Sequence, residues 1–199
     1  MEFRSQTLST PLTTELLGAH SPLSQITTDR ELSASWIRGG DGLIGFGEWR
    51  STTVTGPDRF KVARKWWHEQ ISELTIHNNV HGSGTGPILF TSFSFDESGE
   101  SRLVIPEIMV GQRAGKSWIT WIGEGDSPRL GTLTESHTPQ ALSWQPGTLS
   151  DSEWKTRVAT AVSQIKAGEL DKVVLARDLI ATAAEPIPLR ALMTRLENE

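Results

Sequence analysis

One stretch near the C-terminal end constrains the local structure more tightly than any other. Ser150 and Glu153 form the S-x-x-E pattern of a capping box, which satisfies two free backbone N–H groups at the start of a helix. Gly168 is placed to end that helix, and the apolar run from Leu170 to Ile180 predicts a strand. Apolar residues at intervals of four, three and four define the buried stripe of the helix: Trp154, Val158, Ala161 and Ile165.

A charged pair, Asp171 and Lys172, stands where this predicted strand begins. Strand alternation would place Lys172 on one face with Val174 and Ala176. If that face closed over a cleft, burial would disfavour the ammonium and leave a neutral amine able to accept a proton. The alternative is a lysine at a strand entrance whose amine extends to water beside Asp171. The residues alone favour the exposed lysine, because lysine side chains are mostly exposed.

Composition excludes several classes of function. The chain of 199 residues has a formal charge of −5 and shows no basic stripe, so neither nucleic acid nor a membrane surface is the expected partner. It contains no cysteine, which excludes disulfides, thiolate catalysis and cysteine-ligated zinc. The N-terminal residues lack the pattern of a signal peptide, and no apolar run is long enough to span a bilayer. We therefore expect a cytoplasmic protein.

The remaining chain predicts an α+β fold, with a strand-rich antiparallel sheet and flanking helices. Residues 32–50 read as a hairpin around the turn signal GDG, and residues 55–74 read as an amphipathic helix that opens at Pro57. The buried stripe expected for that helix is Phe60, Ala63, Trp67, Ile71 and Leu74. Three apolar segments within residues 87–124 predict an antiparallel meander.

Two local patterns resemble known sites and fail on spacing. The stretch GQRAGKS, Gly111–Ser117, has three residues between its glycines where a P-loop has four, so a hairpin turn is the better interpretation. His77 and His81 are four residues apart, but no third metal ligand is placed by spacing. We expect these histidines at a solvated helix end.

The C-terminal residues carry a helical apolar pattern without a cap or tail: Leu189, Leu192, Met193 and Leu196. We expect the chain to be truncated at residue 199. Residues 1–30 form a poorly specified N-terminal segment.

The stretch IKAGELDKVVLARD resembles the signature of the isochorismate synthases among the chorismate-utilising enzymes. The upstream stretches LIGFGEWR, TGPDRFKVARKWW and SWITWIG resemble, in order and spacing, the N-terminal half of bacterial members. The resemblance implies that residues 31–199 are the N-terminal portion of a chorismate-binding catalytic domain. It also implies an α+β body built by strands from both halves. It implies magnesium-dependent conversion of chorismate to isochorismate, with Lys172 as the general base that activates water. It places the magnesium and acid residues downstream of this chain and implies a monomer at full length.

The same resemblance leaves open which reaction the protein catalyses and whether it is catalytic. Related anthranilate synthases carry glutamine where this chain has Lys172, which favours water over ammonia as the nucleophile. Salicylate synthases share the lysine, and a non-catalytic module that keeps the fold without the site is a further possibility. We expect the 199-residue chain alone to be inactive, because one base cannot supply acid, metal and anion recognition. The product's use in menaquinone or siderophore synthesis is not predicted by the residues.

Overall fold

The computed structural model describes residues 9–18, 21–133 and 142–197, which fall into two compact units. The described part of the first unit comprises residues 9–133, apart from 19–20, together with 190–197. That of the second unit comprises residues 142–189.

The elements confirm the predicted α+β class. The strands are β1 Thr10–Leu17, β2 Ile26–Thr27, β3 Leu32–Arg38, β4 Asp41–Phe46, β5 Arg50–Val54, β6 Leu74–Asn78, β7 Phe90–Ser92, β8 Ser101–Ile105, β9 Ile108–Arg113, β10 Lys116–Ile122, β11 Gly131–Thr132, β12 Leu142–Pro146 and β13 Leu179–Ala183. The helices are α1 Arg59–Ser72, α2 Asp151–Lys166 and α3 Leu189–Glu197, with a 3₁₀ turn at Leu23–Gln25.

A six-stranded sheet in the order β3-β4-β9-β10-β1-β6 forms the body of the first unit. Its neighbours are antiparallel except for β1 and β6, which run parallel. Strand β1 comes from the N-terminal segment, where the sequence predicted no element, and it pairs with β10 on one side and β6 on the other. The expectation for residues 1–30 therefore missed an interior strand.

Both predicted hairpins are present in this sheet, but the loop of the first begins before the predicted GDG turn, because Asp41 and Gly42 already belong to β4. Gly39 and Gly40, with φ of +58° and +81°, connect β3 to β4. This is the two-residue loop with left-handed residues that suits the twist of a hairpin. Ala114 and Gly115 connect β9 to β10 with φ of +49° and +76°. The GQRAGKS stretch is thus a hairpin turn, as expected.

One face of the six-stranded sheet carries the main core. Alternate residues of β4, β9 and β10 point into it, and the 3₁₀ turn and α3 pack against them. Arg190 of α3 donates to the Ser24 carbonyl over 3.2 Å, and its guanidinium lies 5.3 Å from the centre of the Phe46 ring. Burial lowers the pKa of this arginine. The core residues are Leu23, Ile26, Ile44, Phe46, Ile108, Val110, Ile119 and Trp121, with Met193 against them.

A second, smaller sheet in the order β5-β8-β7 packs on α1. Val54, Ala63 and Leu103 are its buried residues. The predicted meander is corrected here: Pro106 lies between β8 and β9, and these two strands belong to different sheets. Proline has no N–H to donate to a ladder, so it ends one strand pairing and lets the next begin. The predicted stripe of α1 is also only partly right, because Phe60 is 55% exposed.

The second unit contains β12, α2 and β13. Strands β12 and β13 pair antiparallel, from Leu142 opposite Ala183 to Pro146 opposite Leu179. Helix α2 lies between them in the chain, and its buried residue is Ala161. The segment that connects α2 to β13 contains Lys172.

Candidate active site

The start of α2 is fixed by the capping box that the sequence predicted. The Glu153 N–H donates to Ser150 Oγ over 3.3 Å, and the Ser150 N–H donates to Glu153 Oε2 over 2.9 Å. The Ser150 hydroxyl also donates to the same carboxylate oxygen over 2.6 Å. These bonds lower the pKa of Glu153, with the hydroxyl as the largest cause and the backbone N–H second.

The end of α2 is fixed by Gly168. This glycine has a φ of +75°, and its N–H donates to the Ile165 carbonyl over 3.1 Å. The next N–H, of Glu169, donates to the Gln164 carbonyl over 3.0 Å. This pair of bonds is the Schellman motif, which closes a helix and turns the chain away from its axis. The predicted stop is confirmed, and it directs the chain into the segment that carries Lys172.

The strand predicted from Leu170 to Ile180 is wrong in nine of its eleven residues, from Leu170 to Asp178. Strand β13 begins at Leu179, and residues 172–178 have no regular structure. The residues have high β-propensity, but a strand needs a neighbour for its backbone groups. Strand β12 pairs only with residues 179–183, and no other strand of the described residues 142–189 reaches the segment.

Lys172 is exposed, and so is Asp171 beside it. The apolar residues that follow are also turned toward solvent: Val173 is 41%, Val174 91% and Leu175 39% exposed. A β-branched or leucine side chain left in water forgoes the free energy of burial, about 1.5–3 kcal/mol for each residue. The segment therefore presents an amine at the head of an uncovered apolar run.

Two contacts attach the far end of this segment to its own unit. Arg177 Nη1 donates to Asp151 Oδ1 over 2.7 Å, at the first turn of α2. Asp178 accepts from the Thr148 N–H over 2.9 Å and from its hydroxyl over 3.2 Å. These donors lower the pKa of Asp178, with the Thr148 N–H as the largest cause.

The sequence reasoning did not find these anchors. Arg177 and Asp151 are separated by the whole of α2, and no short motif joins them. The only local signal is an acidic residue in the first turn of a helix, which is common on electrostatic grounds alone. The anchors hold the far end of the path from Gly168 to β13, the helix stop at Gly168 fixes its near end, and Lys172 lies between them.

The residues in the structure do not form a metal centre. Among the described residues no three His, Asp or Glu side chains converge closely enough to hold an ion. His77 lies in strand β6 and His81 in the loop that follows, so the expectation of a helix end is corrected. The donor set for a resident Mg²⁺ is thus not met by the part of the chain that is described. Nor is any helix in that part long and apolar enough to cross a membrane.

Comparison with known proteins supplies the family. Isochorismate synthase MenF of Bacillus subtilis is 27% identical over 177 residues, covering 74% of this chain and 37% of that protein. "Putative isochorismate synthase MenF" of Mycobacterium tuberculosis is 31% identical over 116 residues, covering 57% of this chain and 27% of that protein. The matched region thus spans well under half of either relative. No solved structure matches the chain. The family model described as chorismate binding enzyme matches residues 5–199, and the chain belongs to that family.

Proposed function

We propose that this chain is the N-terminal portion of an isochorismate synthase, in which Lys172 is the general base. The substrate is chorismate, and the product is isochorismate. The observation that carries the proposal is the position of Lys172, on an open segment that begins at a rigid helix stop and is anchored at Arg177 and Asp178. The family membership and the two MenF relatives support the choice of reaction.

The proposed step is an addition of water with loss of a hydroxyl. The Lys172 amine takes a proton from water as the oxygen bonds to ring carbon 2. The ring double bonds shift, and the bond from carbon 4 to its hydroxyl breaks. That hydroxyl leaves as water after it receives a proton from an acid group. Water is consumed and released in equal amounts, so the reaction is an isomerisation. A positioned base for such a step contributes about 10²- to 10⁴-fold in rate.

A neutral amine requires a drier environment than the one described for Lys172. The uncovered residues Val173, Val174 and Leu175 are the surface on which a covering element would pack. When covered, they would exclude water from the amine and favour its neutral form. We therefore propose that the active protein contains polypeptide that covers this segment. The proposal includes Mg²⁺ as a requirement, with its ligands outside the described residues, and no proton step is assigned to it.

The test is an assay of the longest polypeptide encoded in frame with this chain, supplied with chorismate and Mg²⁺. Lys172→Met removes the amine and keeps the length of the side chain, and the expected loss of kcat is about 10²-fold or more. Lys155→Met, an exposed lysine of α2, is the matched control and should keep wild-type activity.

Product identification completes this test. Isochorismate as the sole product supports the proposal. Salicylate with pyruvate would assign the chain to salicylate synthesis, and no conversion would favour a non-catalytic module. Full activity in the Lys172→Met variant would remove the assigned role of the lysine. A 199-residue chain that converts chorismate as fast as the longer polypeptide would contradict the need for a covering element.

A further inference from the structure

The face of the six-stranded sheet opposite the main core carries an open groove. It has a volume of about 530 Å³, which lies in the range of small-molecule sites. It belongs entirely to the first unit, and its residues take no part in the proposed function. Its wall and floor are mainly apolar, from Trp36, Leu43, Phe90 and Trp118.

Strand register explains why these side chains meet. Trp36 lies opposite Leu43, Leu43 opposite Gly111, and Gly111 opposite Trp118. These four residues form one row across β3, β4, β9 and β10. Because successive residues on a face are two apart, the next row toward the hairpin turns contains Arg38, Asp41, Arg113 and Lys116. An apolar row with two indoles therefore lies directly beside a row with two guanidinium groups.

The floor of the groove is held in place. Trp118 is only 4% exposed, and its Nε1–H donates to the Gly84 carbonyl over 3.0 Å. Its ring lies against the backbone at Gly111, where an added Cβ would come closer than 3.0 Å to three indole atoms. Glycine at this position lets the indole lie flat on β9. Trp36, at the opposite wall, is 75% exposed.

The charged side chains at the rim differ in whether they already have a hydrogen-bond partner in the protein. Asp41 accepts the Ala114 N–H over 3.0 Å, so one of its oxygens is occupied by the backbone. Neither Arg38 nor Arg113 has an ion pair or a hydrogen-bond acceptor within the described residues. Two free guanidinium groups beside an apolar, aromatic floor complement a ligand with a planar ring and an acidic group.

We propose that this groove binds a small aromatic carboxylate. The ring of the ligand lies between Trp36 and Trp118, over Leu43. The carboxylate reaches the row of Arg38 and Arg113, which can hold its two oxygens by charge-assisted hydrogen bonds. Uncharged aromatic compounds of the same shape bind more weakly, because they lack the negative charge that strengthens a hydrogen bond from a guanidinium group.

The test uses the whole chain and two probes of equal shape, 4-fluorobenzoate and 4-fluorobenzamide, followed by ¹⁹F NMR. The benzoate should bind more tightly than the amide. Arg38→Gln and Arg113→Gln should each weaken the benzoate about five- to tenfold, as expected for loss of one charge-assisted bond, and should weaken the amide less. Trp36→Ala should weaken both probes. Arg64→Gln, an exposed arginine of α1, is the matched control and should change neither.

Three results would overturn the proposal: no binding of the benzoate at millimolar concentration, equal binding of the two probes, or full benzoate affinity in both arginine variants. The substituted arginines are exposed, so each variant should keep the wild-type circular dichroism spectrum and unfolding midpoint. None of these readouts depends on chorismate turnover, so the proposed function and the groove fail or succeed separately.

Discussion

Arg177 donates to Asp151 over 2.7 Å and so joins the chain just after Lys172 to the first turn of α2. The Arg177 side chain is 22% exposed and that of Asp151 is 70% exposed. The pair is therefore partly screened by solvent, and its contribution to stability is small. Its importance is geometric, because it limits where the segment with Lys172 can go.

The first prediction concerns this ion pair. A double-mutant cycle with Arg177→Gln and Asp151→Asn should give a coupling free energy of about 0.3–1 kcal/mol at low salt and less at high salt. The cycle removes the separate effect of Asp151 on the helix terminus. Urea unfolding measures the coupling, and hydrogen exchange of residues 170–178 should be faster in both single variants. A coupling of zero at low salt would show that the pair does not restrain the segment.

The second prediction concerns the capping box and pH. The Ser150 hydroxyl and N–H lower the pKa of Glu153 below its ordinary value of 4.5. A carboxyl group with a lowered pKa in the folded state stabilises that state above the unfolded pKa, and this stabilisation is lost as the pH falls through the folded pKa. The wild type should therefore lose stability below about pH 4.5 relative to Glu153→Gln, whose amide can still accept the Ser150 N–H.

Unfolding midpoints measured between about pH 6 and pH 3 check this expectation. This window spans the ordinary pKa values of carboxyl groups. The difference between wild type and Glu153→Gln should be largest at the upper end and shrink toward the lower end. A difference that stays constant across the window would mean that the Glu153 charge is not part of the cap.

The sequence predicted the features that depend on few consecutive residues. The capping box at Ser150, the left-handed stop at Gly168 and the two tight hairpins each involve partners within a few positions of each other. Their geometry follows from local chemistry, and the structure confirms them.

Features that depend on distant partners were missed. Strand β1 looks polar because it contains Thr13 and Thr14, yet Thr14 is fully buried and shares a 2.9 Å hydrogen bond with Thr120. Two hydroxyls that satisfy each other can be buried together, and neither residue shows this alone. The opposite error occurred between Leu170 and Asp178, where β-propensity predicted a strand that has no neighbour to pair with. The role of Lys172 came from a resemblance, whereas its exposed setting is the one that residue chemistry alone favoured.

The third prediction concerns the stop of α2. Gly168→Ala places a Cβ on a residue with φ of +75° and should destabilise the protein by about 1 kcal/mol. Gly168→Asn should cost less, because asparagine tolerates the left-handed region better than alanine. Chemical denaturation of the two variants measures the difference. Equal stability of Gly168→Ala and wild type would show that the Schellman motif is not required for this helix end.

The fourth prediction concerns Gly111, which lies in β9 and has no left-handed φ. Alanine has the better strand propensity. At a strand position with free space for a Cβ, replacing glycine by alanine would stabilise the protein by about 0.5–1 kcal/mol. Here the new Cβ would meet the Trp118 indole closer than 3.0 Å. We expect a net loss of about 1–3 kcal/mol, because overpacking a fixed ring outweighs the propensity gain.

Gly18→Ala is the control for this substitution, since a Cβ at Gly18 meets no atom of the described residues within 4 Å. It should change the free energy of unfolding by less than about 0.5 kcal/mol. A second readout separates displacement of the indole from a general loss of stability: the Trp118 Nε1–H signal in ¹H–¹⁵N NMR should shift when its bond to Gly84 is broken. A Gly111→Ala protein with wild-type stability and an unchanged indole signal would show that β9 moves to accept the methyl group, and that the floor of the groove is not rigid.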